Sequence, residues 1–210
     1  MSPQHLQQQD LFHLRQLQYR VNALSAYSFG VQNLEIGVDA LAAGSIAINS
    51  FAGILSDGTT LAFEKGQPHC PSPRPVEEHF GATQRTLHVY LGTPREREGV
   101  ANVSEFDGSS TGSRYASHTR EVSDLAVGRT SQVPVAFART NVSILLGAES
   151  KDDCDRLKVA EVVRNASGQL EVDRTYVPPC LHIGASPFIL AELRQLLGLM
   201  IARQRALTET

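Results

Sequence analysis

Tryptophan is absent from this 210-residue chain, and aromatic residues make up only 6% of it. Modules that bind carbohydrates or receptor surfaces use exposed aromatic side chains as contact platforms. The composition therefore disfavours a free-standing β-sandwich that binds a receptor or a carbohydrate, and that module is kept as the alternative hypothesis.

Cysteine is also scarce, and Cys70, Cys154 and Cys180 form an odd, widely spaced set without a CxxC pair. Such a set indicates neither a disulfide framework nor a zinc cluster. His69, Cys70 and His79 are interrupted by prolines and lack a fourth clustered ligand, so they match zinc spacing poorly. We expect free thiols in a reducing compartment, no metal site and no cofactor.

Long apolar runs are missing too. No segment approaches the roughly 18 apolar residues that a membrane span needs, and the Gln- and His-rich start lacks the apolar run of a signal peptide. The net charge of −3 gives no electrostatic reason to expect nucleic acid or an anionic membrane as a partner. These features predict a cytoplasmic protein that neither binds nucleic acid nor inserts into a membrane.

One segment formally matches a catalytic motif. Gly108 to Gly112 reads GxSxG, with Ser110 in the nucleophile position. A nucleophile elbow needs a buried apolar strand before the first glycine and a helix after the last, and the flanks here are polar. The segment is typical of a flexible linker, and we predict that the chain is not an enzyme. A serine hydrolase acting through Ser110 is a further alternative, which a serine-directed activity probe would detect.

The middle of the chain has the sequence pattern of a β protein. Short runs of alternating apolar residues predict strands, including residues 31–38, 86–91 and 170–177. No helical pattern separates these runs, so they are not βαβ units. The sequence predicts a mainly β fold, an antiparallel β-sandwich over residues 27–185, flanked by an N-terminal and a C-terminal α-helix.

Turn and loop signals divide the predicted strands. Asp57-Gly58 and the segment 165–168 each lie between two strand-like runs and predict β-hairpins. Four prolines in residues 66–75 predict an extended loop outside any strand ladder. Residues 99–113 have little to bury and much backbone entropy to lose, so we expect high mobility there.

The N-terminal helix is predicted within residues 1–26. Ser2 can cap it by accepting from an early helical N–H, and Pro3 suits its first position. Four apolar residues recur at helical spacing and form a stripe along one face. This α1 stripe consists of Leu14, Leu17, Val21 and Leu24.

The C-terminal helix is predicted over residues 186–210, where Ser186 and Pro187 repeat the same start signal. Its apolar face, the α3 stripe, consists of Leu190, Leu193, Leu196, Leu197, Met200 and Ile201. The pattern is still periodic at the last residues, so we expect the sequence to be part of a longer protein.

Two interpretations of these stripes remain open. An amphipathic helix of ordinary length usually packs on the core of its own domain. The a- and d-like spacing near the C-terminus also permits association with other chains, although so few heptads do not establish a coiled coil.

Two segments resemble one known family. PQHLQQQD, from Pro3 to Asp10, and PPCLHIGASP, from Pro178 to Pro187, are similar to motifs of the TssK family, the baseplate subunits of the bacterial type VI secretion system. The motifs occur in the family's order. The resemblance implies a β-sandwich shoulder followed by the start of a helical neck, with the family's head domain absent.

The resemblance also implies partners. Family members resemble the receptor-binding proteins of tailed phages, form homotrimers, dock on wedge subunits TssF and TssG through the shoulder, and face the membrane complex through the head. On this basis the α3 stripe would begin the neck and form the oligomer interface. One polar set would contact the wedge or else anchor the first helix on its own sandwich: Gln4, His5, Gln8, Gln9 and Asp10.

Overall fold

The structure is a computed structural model, and it describes residues 2–81, 84–105, 112–126, 128–149 and 153–208, without the side chains of 105 and 128–130. In this part of the chain the helices are α1 (Pro3–Leu24), α2 (Val38–Ala42) and α3 (Pro187–Thr208). The strands are β1 (Gly30–Ile36), β2 (Ser45–Ile46), β3 (Ile48–Ile54), β4 (Thr60–Glu64), β5 (Arg74–Pro75), β6 (Thr86–Pro94), β7 (Val103–Glu105), β8 (Tyr115–Asp124), β9 (Gly128–Thr140), β10 (Ser143–Leu146), β11 (Cys154–Arg164) and β12 (Leu170–Val172).

The first sheet has the antiparallel order β1-β3-β4. Its β3–β4 hairpin turns at Asp57-Gly58, where Gly58 has φ +89° and both the amide and the hydroxyl of Thr59 donate to the Asp57 carboxylate. A positive φ suits glycine, which has no Cβ. The predicted hairpin is therefore confirmed.

The second sheet has the antiparallel order β10-β6-β11-β12. Residues 165–168 form the turn between β11 and β12, and the side chain of Asn165 accepts from the amides of Ser167 and Gln169. The second predicted hairpin is thus confirmed. Its return strand is shorter than predicted and ends at Val172, because the Asp173 carboxylate accepts from the Thr175 amide and forms a turn.

One hydrophobic core joins the two sheets. Alternate residues of both sheets are buried and pack in a single cluster, as in a β-sandwich. The first sheet contributes Val31, Ile48, Phe51, Leu61 and Phe63, and the second contributes Leu87, Val89, Leu91, Ile144, Leu146, Leu157, Val159, Ala160 and Val162. The predicted mainly β, antiparallel sandwich flanked by two helices is confirmed.

A third sheet, β7-β8-β9, forms a separate ribbon. The strands β8 and β9 pair antiparallel from Tyr115–Thr140 to Asp124–Gly128, whereas β7 pairs parallel to β8. None of the described residues in 117–126 or 131–143 is buried. Within residues 99–113, for which we predicted high mobility, β7 is a short paired strand. Residues 106–111 lie outside the described part of the chain.

Two local predictions differ from the structure. The predicted strand 31–38 ends at Ile36, and Val38 begins α2 instead. The proline-rich loop 66–75 ends in the two-residue strand β5, where Pro75 pairs with Ser45 at the edge of a two-stranded sheet. An edge position tolerates proline because its missing N–H does not break a ladder.

Candidate docking surfaces

The start of α1 differs in detail from the predicted cap. Pro3 occupies the first turn, and the Ser2 carbonyl accepts from the His5 amide at 3.0 Å. The Ser2 hydroxyl makes no capping bond to the backbone and instead pairs with Nδ1 of His5 at 2.8 Å. The prediction that the Ser2 side chain caps the helix is therefore wrong, because the imidazole takes that hydroxyl.

The whole of α1 lacks a buried residue. In the stripe, Leu14 is 61% exposed and Leu24 is 89% exposed, so the expected packing of this stripe on the chain's own core does not occur. Phe12 and Tyr19, seven residues apart, are exposed on another side of the helix. Apolar surface of this extent in water marks an interaction site.

The polar set at the start of α1 is likewise exposed, with no described contact to the sandwich. This set comprises Gln4, His5, Gln8, Gln9 and Asp10. Among the described side chains of this set, only the His5 imidazole has a hydrogen-bond partner, which is the Ser2 hydroxyl. The choice between wedge contact and helix anchoring for these residues stays a prediction.

Contacts further along hold α1 beside the sandwich. Leu11 and Gln18 are half-buried, and Gln18 lies over Gly58 so closely that a Cβ there would stand 2.1 Å from Oε1 of Gln18. Asn22 accepts from Gln18 and from Ser28 at 3.1 and 2.8 Å. The β3–β4 turn thus positions one side of α1 and leaves the stripe outside.

The start of α3 follows the predicted capping. Ser186 is 2% exposed, and its hydroxyl accepts from the Ile189 amide at 3.3 Å. Its carbonyl accepts from the Leu190 amide at 3.1 Å. Both bonds satisfy orphan N–H groups of the first helical turn, so the predicted N-cap is confirmed.

Beyond this start, α3 has no buried residue. Leu190 is half-buried, and the other five residues of the α3 stripe are exposed, from 40% at Leu193 to 62% at Met200. Leu199 is also exposed and lies beside Leu196, three residues earlier, so apolar surface extends past the predicted stripe. Of the two interpretations of this stripe, packing on the chain's own core does not occur in the single chain, since α3 leaves the sandwich.

The second family motif fixes where α3 leaves the sandwich. The Val31 amide donates to the Pro179 carbonyl at 2.7 Å, and the Leu181 amide donates to the Val31 carbonyl at 2.9 Å. Gly30 permits this approach, because a Cβ there would lie 2.7 Å from the Pro179 oxygen. The segment therefore binds the beginning of β1 through an isolated parallel bridge between Val31 and Cys180 and sets the direction of α3.

An apolar groove of about 540 Å³ lies at this junction. Strands β1, β11 and β12 supply one wall, and the first turn of α3 supplies the other through Pro187 and Phe188. The apolar lining includes Leu34, Ile36, Val159 and Val172. The exposed apolar surface is therefore continuous from the sandwich to the start of α3.

Arg114 forms a buried charge cluster that the sequence did not reveal. Its side chain is 6% exposed, and it donates to Asp57 at 2.5 Å and to Asp155 at 3.0 Å. Further bonds reach Thr59 and the Pro94 carbonyl. These partners hold the base of the β8–β9 ribbon against both sheets of the sandwich.

The histidines of the candidate metal site have other partners. Ser110 lies outside the described residues. His69 pairs with the Ala62 carbonyl at 2.9 Å, and His79 lies 3.6 Å from Glu149. Within the described ranges, no three His, Cys, Asp or Glu residues are grouped to hold a metal ion, and no helix is long and apolar enough to cross a bilayer.

The described aromatic residues do not form a platform on a sheet. The exposed ones are Phe12, Tyr19 and Tyr27, on α1 or just after it, and Phe188 in the first turn of α3. On the second sheet, Arg156 lies over Tyr90 and Lys158 over Tyr176. No observation on the described part of the chain favours the alternative of a carbohydrate- or receptor-binding module.

Known proteins share both sequence and fold with this chain. The type VI secretion system baseplate component TssK1 of Pseudomonas aeruginosa (strain PAO1) is 33% identical over 208 residues, which are 99% of this chain and 46% of the relative. The chain thus spans about half the length of that curated relative.

Two solved structures show the same fold. A crystal structure of TssK superposes with a TM-score of 0.87 at 24% identity, covering 100% of this chain and 47% of TssK. A chain of the TssK-TssF-TssG baseplate subcomplex, determined by cryo-electron microscopy, superposes with a TM-score of 0.86 at 23% identity, covering 100% of this chain and 69% of the other.

A family model agrees with the two motifs and with the fold. The model T6SS_VasE, described as "Bacterial Type VI secretion, VC_A0110, EvfL, ImpJ, VasE", matches residues 5–210. That match covers residues 5–10 of the PQHLQQQD segment, the whole PPCLHIGASP segment and the sandwich between them. This chain therefore belongs to the VasE/ImpJ family of bacterial type VI secretion.

Proposed function

We propose that this chain is the shoulder and the beginning of the neck of a type VI secretion baseplate subunit, and that it acts as a structural adaptor in the cytoplasm. The observation that carries the proposal is the exposure of both helical stripes beside a well-packed core. A helix that leaves its apolar face in water has not found its partner within its own chain. The protein then functions by binding other proteins through these surfaces, and it is not an enzyme.

The proposed division follows the exposed surfaces. We assign residues 1–26 to the segment of the first helix, residues 27–185 to the shoulder and residues 186–210 to the start of the neck. The P. aeruginosa relative is named as a baseplate component, and the cryo-electron microscopy structure contains TssF and TssG beside TssK. By that likeness, the shoulder of this chain docks on TssF and TssG, and a head domain outside this sequence would link it to the membrane complex.

The neck proposal rests on α3. Its stripe is exposed along most of its length, while its first turn is firmly capped at buried Ser186. A rigidly directed helix with an apolar face suits parallel association with copies of itself. We therefore assign the α3 stripe to a self-association interface, and the resemblance to the TssK family implies that three copies meet there. The residues of this interface are Leu190, Leu193, Leu196, Leu197, Met200 and Ile201.

Co-purification tests the wedge assignment. A tagged form of this protein is mixed with TssF and TssG of its own secretion system, and the retained subunits are measured. We expect both to be retained by the unaltered protein and less of them by Leu14→Glu/Leu17→Glu, because these side chains belong to the α1 stripe. Gln16→Glu, on the opposite face of the same helix, is the matched control. Absence of both subunits from the unaltered protein would remove the adaptor proposal.

The polar set is tested in the same assay. Gln8→Ala/Gln9→Ala would reduce wedge retention without changing the unfolding temperature if these side chains contact the wedge. Lower stability with unchanged retention would instead support helix anchoring.

A further inference from the structure

The β8–β9 ribbon has two chemically different faces. Residues paired across the two strands share a face, so His118 lies with Phe137, Arg120 with Val135, and Val122 with Val133. This face is apolar and basic. The opposite face pairs Ser117 with Ala138, Thr119 with Ala136 and Glu121 with Pro134, and it is small and polar.

The basic face closes one side of a groove of about 490 Å³, with β4 on the other side. We call this the ribbon groove. Its floor is apolar and includes Leu61, Phe63, Phe137 and Val142. Its charged or titratable lining residues are His69, His118, Arg120 and Arg139, and no Asp or Glu lines it within the described part of the chain.

This lining contrasts with the rest of the molecule. The chain carries a net charge of −3, yet the groove concentrates two arginines and two histidines without a carboxylate. A cleft lined by one sign of charge over apolar walls attracts a ligand of the opposite sign. The net negative charge of the chain disfavours a long polyanion such as nucleic acid, whereas a short acidic segment with apolar side chains matches both properties of the groove.

Arg120 has the geometry of a carboxylate anchor. Its guanidinium carbon lies 4.7 Å from the centroid of the Phe137 ring. Stacking on an aromatic face orients the guanidinium and leaves its in-plane N–H donors available at the edge, where a carboxylate can bind in a bidentate manner.

Pairing of an added β-strand with the edge of β4 explains the groove less well than recognition by side chains does. The outward Ala62 carbonyl already accepts from His69 at 2.9 Å, and the Glu64 amide donates to the Gln67 side chain at 3.1 Å. Two of the backbone groups that an added strand would use are therefore occupied. Recognition here depends on side chains rather than on the backbone ladder.

We propose that the ribbon groove binds an acidic, partly apolar segment of a wedge subunit, with Arg120 pairing with a carboxylate. The inference rests on the proposed function, because the ligand is part of TssF or TssG. The β8–β9 ribbon would then contact the wedge at a place separate from both helical stripes.

Affinity measurements test the groove. The dissociation constant for the TssF–TssG complex is measured for the unaltered protein, Arg120→Glu and Arg120→Gln. We expect Arg120→Glu to weaken binding by about tenfold or more and Arg120→Gln by a smaller factor, as for loss of a close charge pair. The unaltered protein should also bind more weakly as salt rises from roughly 0.1 to 0.5 M.

Thr119→Glu is the matched control, because it places the same charge one residue away on the opposite face of the ribbon. It should leave affinity within about twofold of the unaltered protein, the range expected for a charge outside the contact. Equal affinity of Arg120→Glu and Thr119→Glu overturns the inference and leaves the adaptor function standing. If the unaltered protein does not bind the wedge, both proposals fall.

Two further outcomes are decided by the same set of variants. Should Arg120→Glu unfold, Arg120→Gln replaces it, and unchanged affinity of a folded Arg120→Gln overturns the inference. Arg120-dependent binding of a single-stranded oligonucleotide that displaces the wedge complex would also overturn it, because the groove would then be a nucleic-acid site.

Discussion

The Nη1 atom of Arg114 lies 3.0 Å from Oδ2 of Asp155, so the first residue before β8 is bound directly to β11 of the sandwich. The same guanidinium pairs with Asp57 in the β3–β4 turn. Burial opposes the charged form of Arg114, but the hydrogen bonds that it donates to Asp57, Tyr115 and Asp155 raise its pKa above the usual value. One arginine thus connects the ribbon to both sheets.

Replacing Arg114 should therefore be costly. Arg114→Leu leaves two carboxylates without their common partner in a largely buried site, and we expect the free energy of unfolding to fall by about 3 kcal/mol. Urea denaturation followed by circular dichroism measures this change.

Arg95→Ala is the control for that measurement. Arg95 pairs with the same Asp155 at 3.0 Å, but its side chain is 57% exposed. An exposed pair contributes less than about 1 kcal/mol. A loss as large for Arg95→Ala as for Arg114→Leu would show that the burial of Arg114 does not matter.

Glu149 makes the stability depend on pH. Burial alone would raise the pKa of Glu149, but hydrogen bonds from Arg74 and from the Leu146 amide outweigh it and hold the pKa below its ordinary 4.5. Arg74 binds both carboxylate oxygens, at 2.7 and 3.1 Å. Since the pKa is lower in the folded state, the unfolded state binds more protons, and this stabilisation is full above pH 4.5 and lost as the pH falls through the folded value.

Glu149→Gln should remove this pH-dependent contribution. We expect the free energy of unfolding to fall by about 1 to 2 kcal/mol at neutral pH, as for loss of a charge-assisted pair. The difference from the unaltered protein should shrink towards zero in acid, which urea titrations at a series of pH values would follow. A difference that stays constant into acid would contradict the assignment.

Gly30 is required for the junction with the second motif. Its φ is +142°, and an added Cβ would stand 2.7 Å from the Pro179 carbonyl oxygen. Gly30→Ala should lower the free energy of unfolding by about 2 kcal/mol or more, because backbone on both sides would have to shift. Gly168→Ala, at φ +81° but with open space around it, should cost only about 1 kcal/mol. Equal losses in the two variants would mean that the contact with Pro179 is not restrictive.

The parts of the fold that could be predicted from the sequence depend on local patterns. Asp57-Gly58 specifies its own turn, and the alternation of Leu87, Val89 and Leu91 identifies a buried strand face whatever lies across from it. The end of β1 could not be predicted, because it depends on α2 starting at Val38. The strand β5 depends on Ser45, which lies 30 residues before its partner Pro75.

The surfaces were harder to predict than the fold. Periodicity identifies an apolar face on α1 and α3, but it does not show whether that face is covered, since cover comes from residues distant in sequence or from another chain. In the Arg114 cluster, the arginine is 41 positions from Asp155 and 57 positions from Asp57 in the sequence, and no sequence pattern predicts these contacts. The ribbon groove likewise arises only when β4 meets β8 and β9.

The neck assignment makes a prediction about self-association. Sedimentation of the unaltered protein should show a trimer, and Leu193→Asp/Leu197→Asp should shift it to a monomer, because two charges on the α3 stripe would be buried at the three-fold contact. Both side chains are exposed in the single chain, so the substitutions should leave the sandwich folded. Gln195→Asp, which adds a charge on the opposite face of the same helix, should remain trimeric. If the unaltered protein and the double variant sediment as the same monomer, the exposed stripe does not support self-association, and a neck beginning at α3 loses its physical basis.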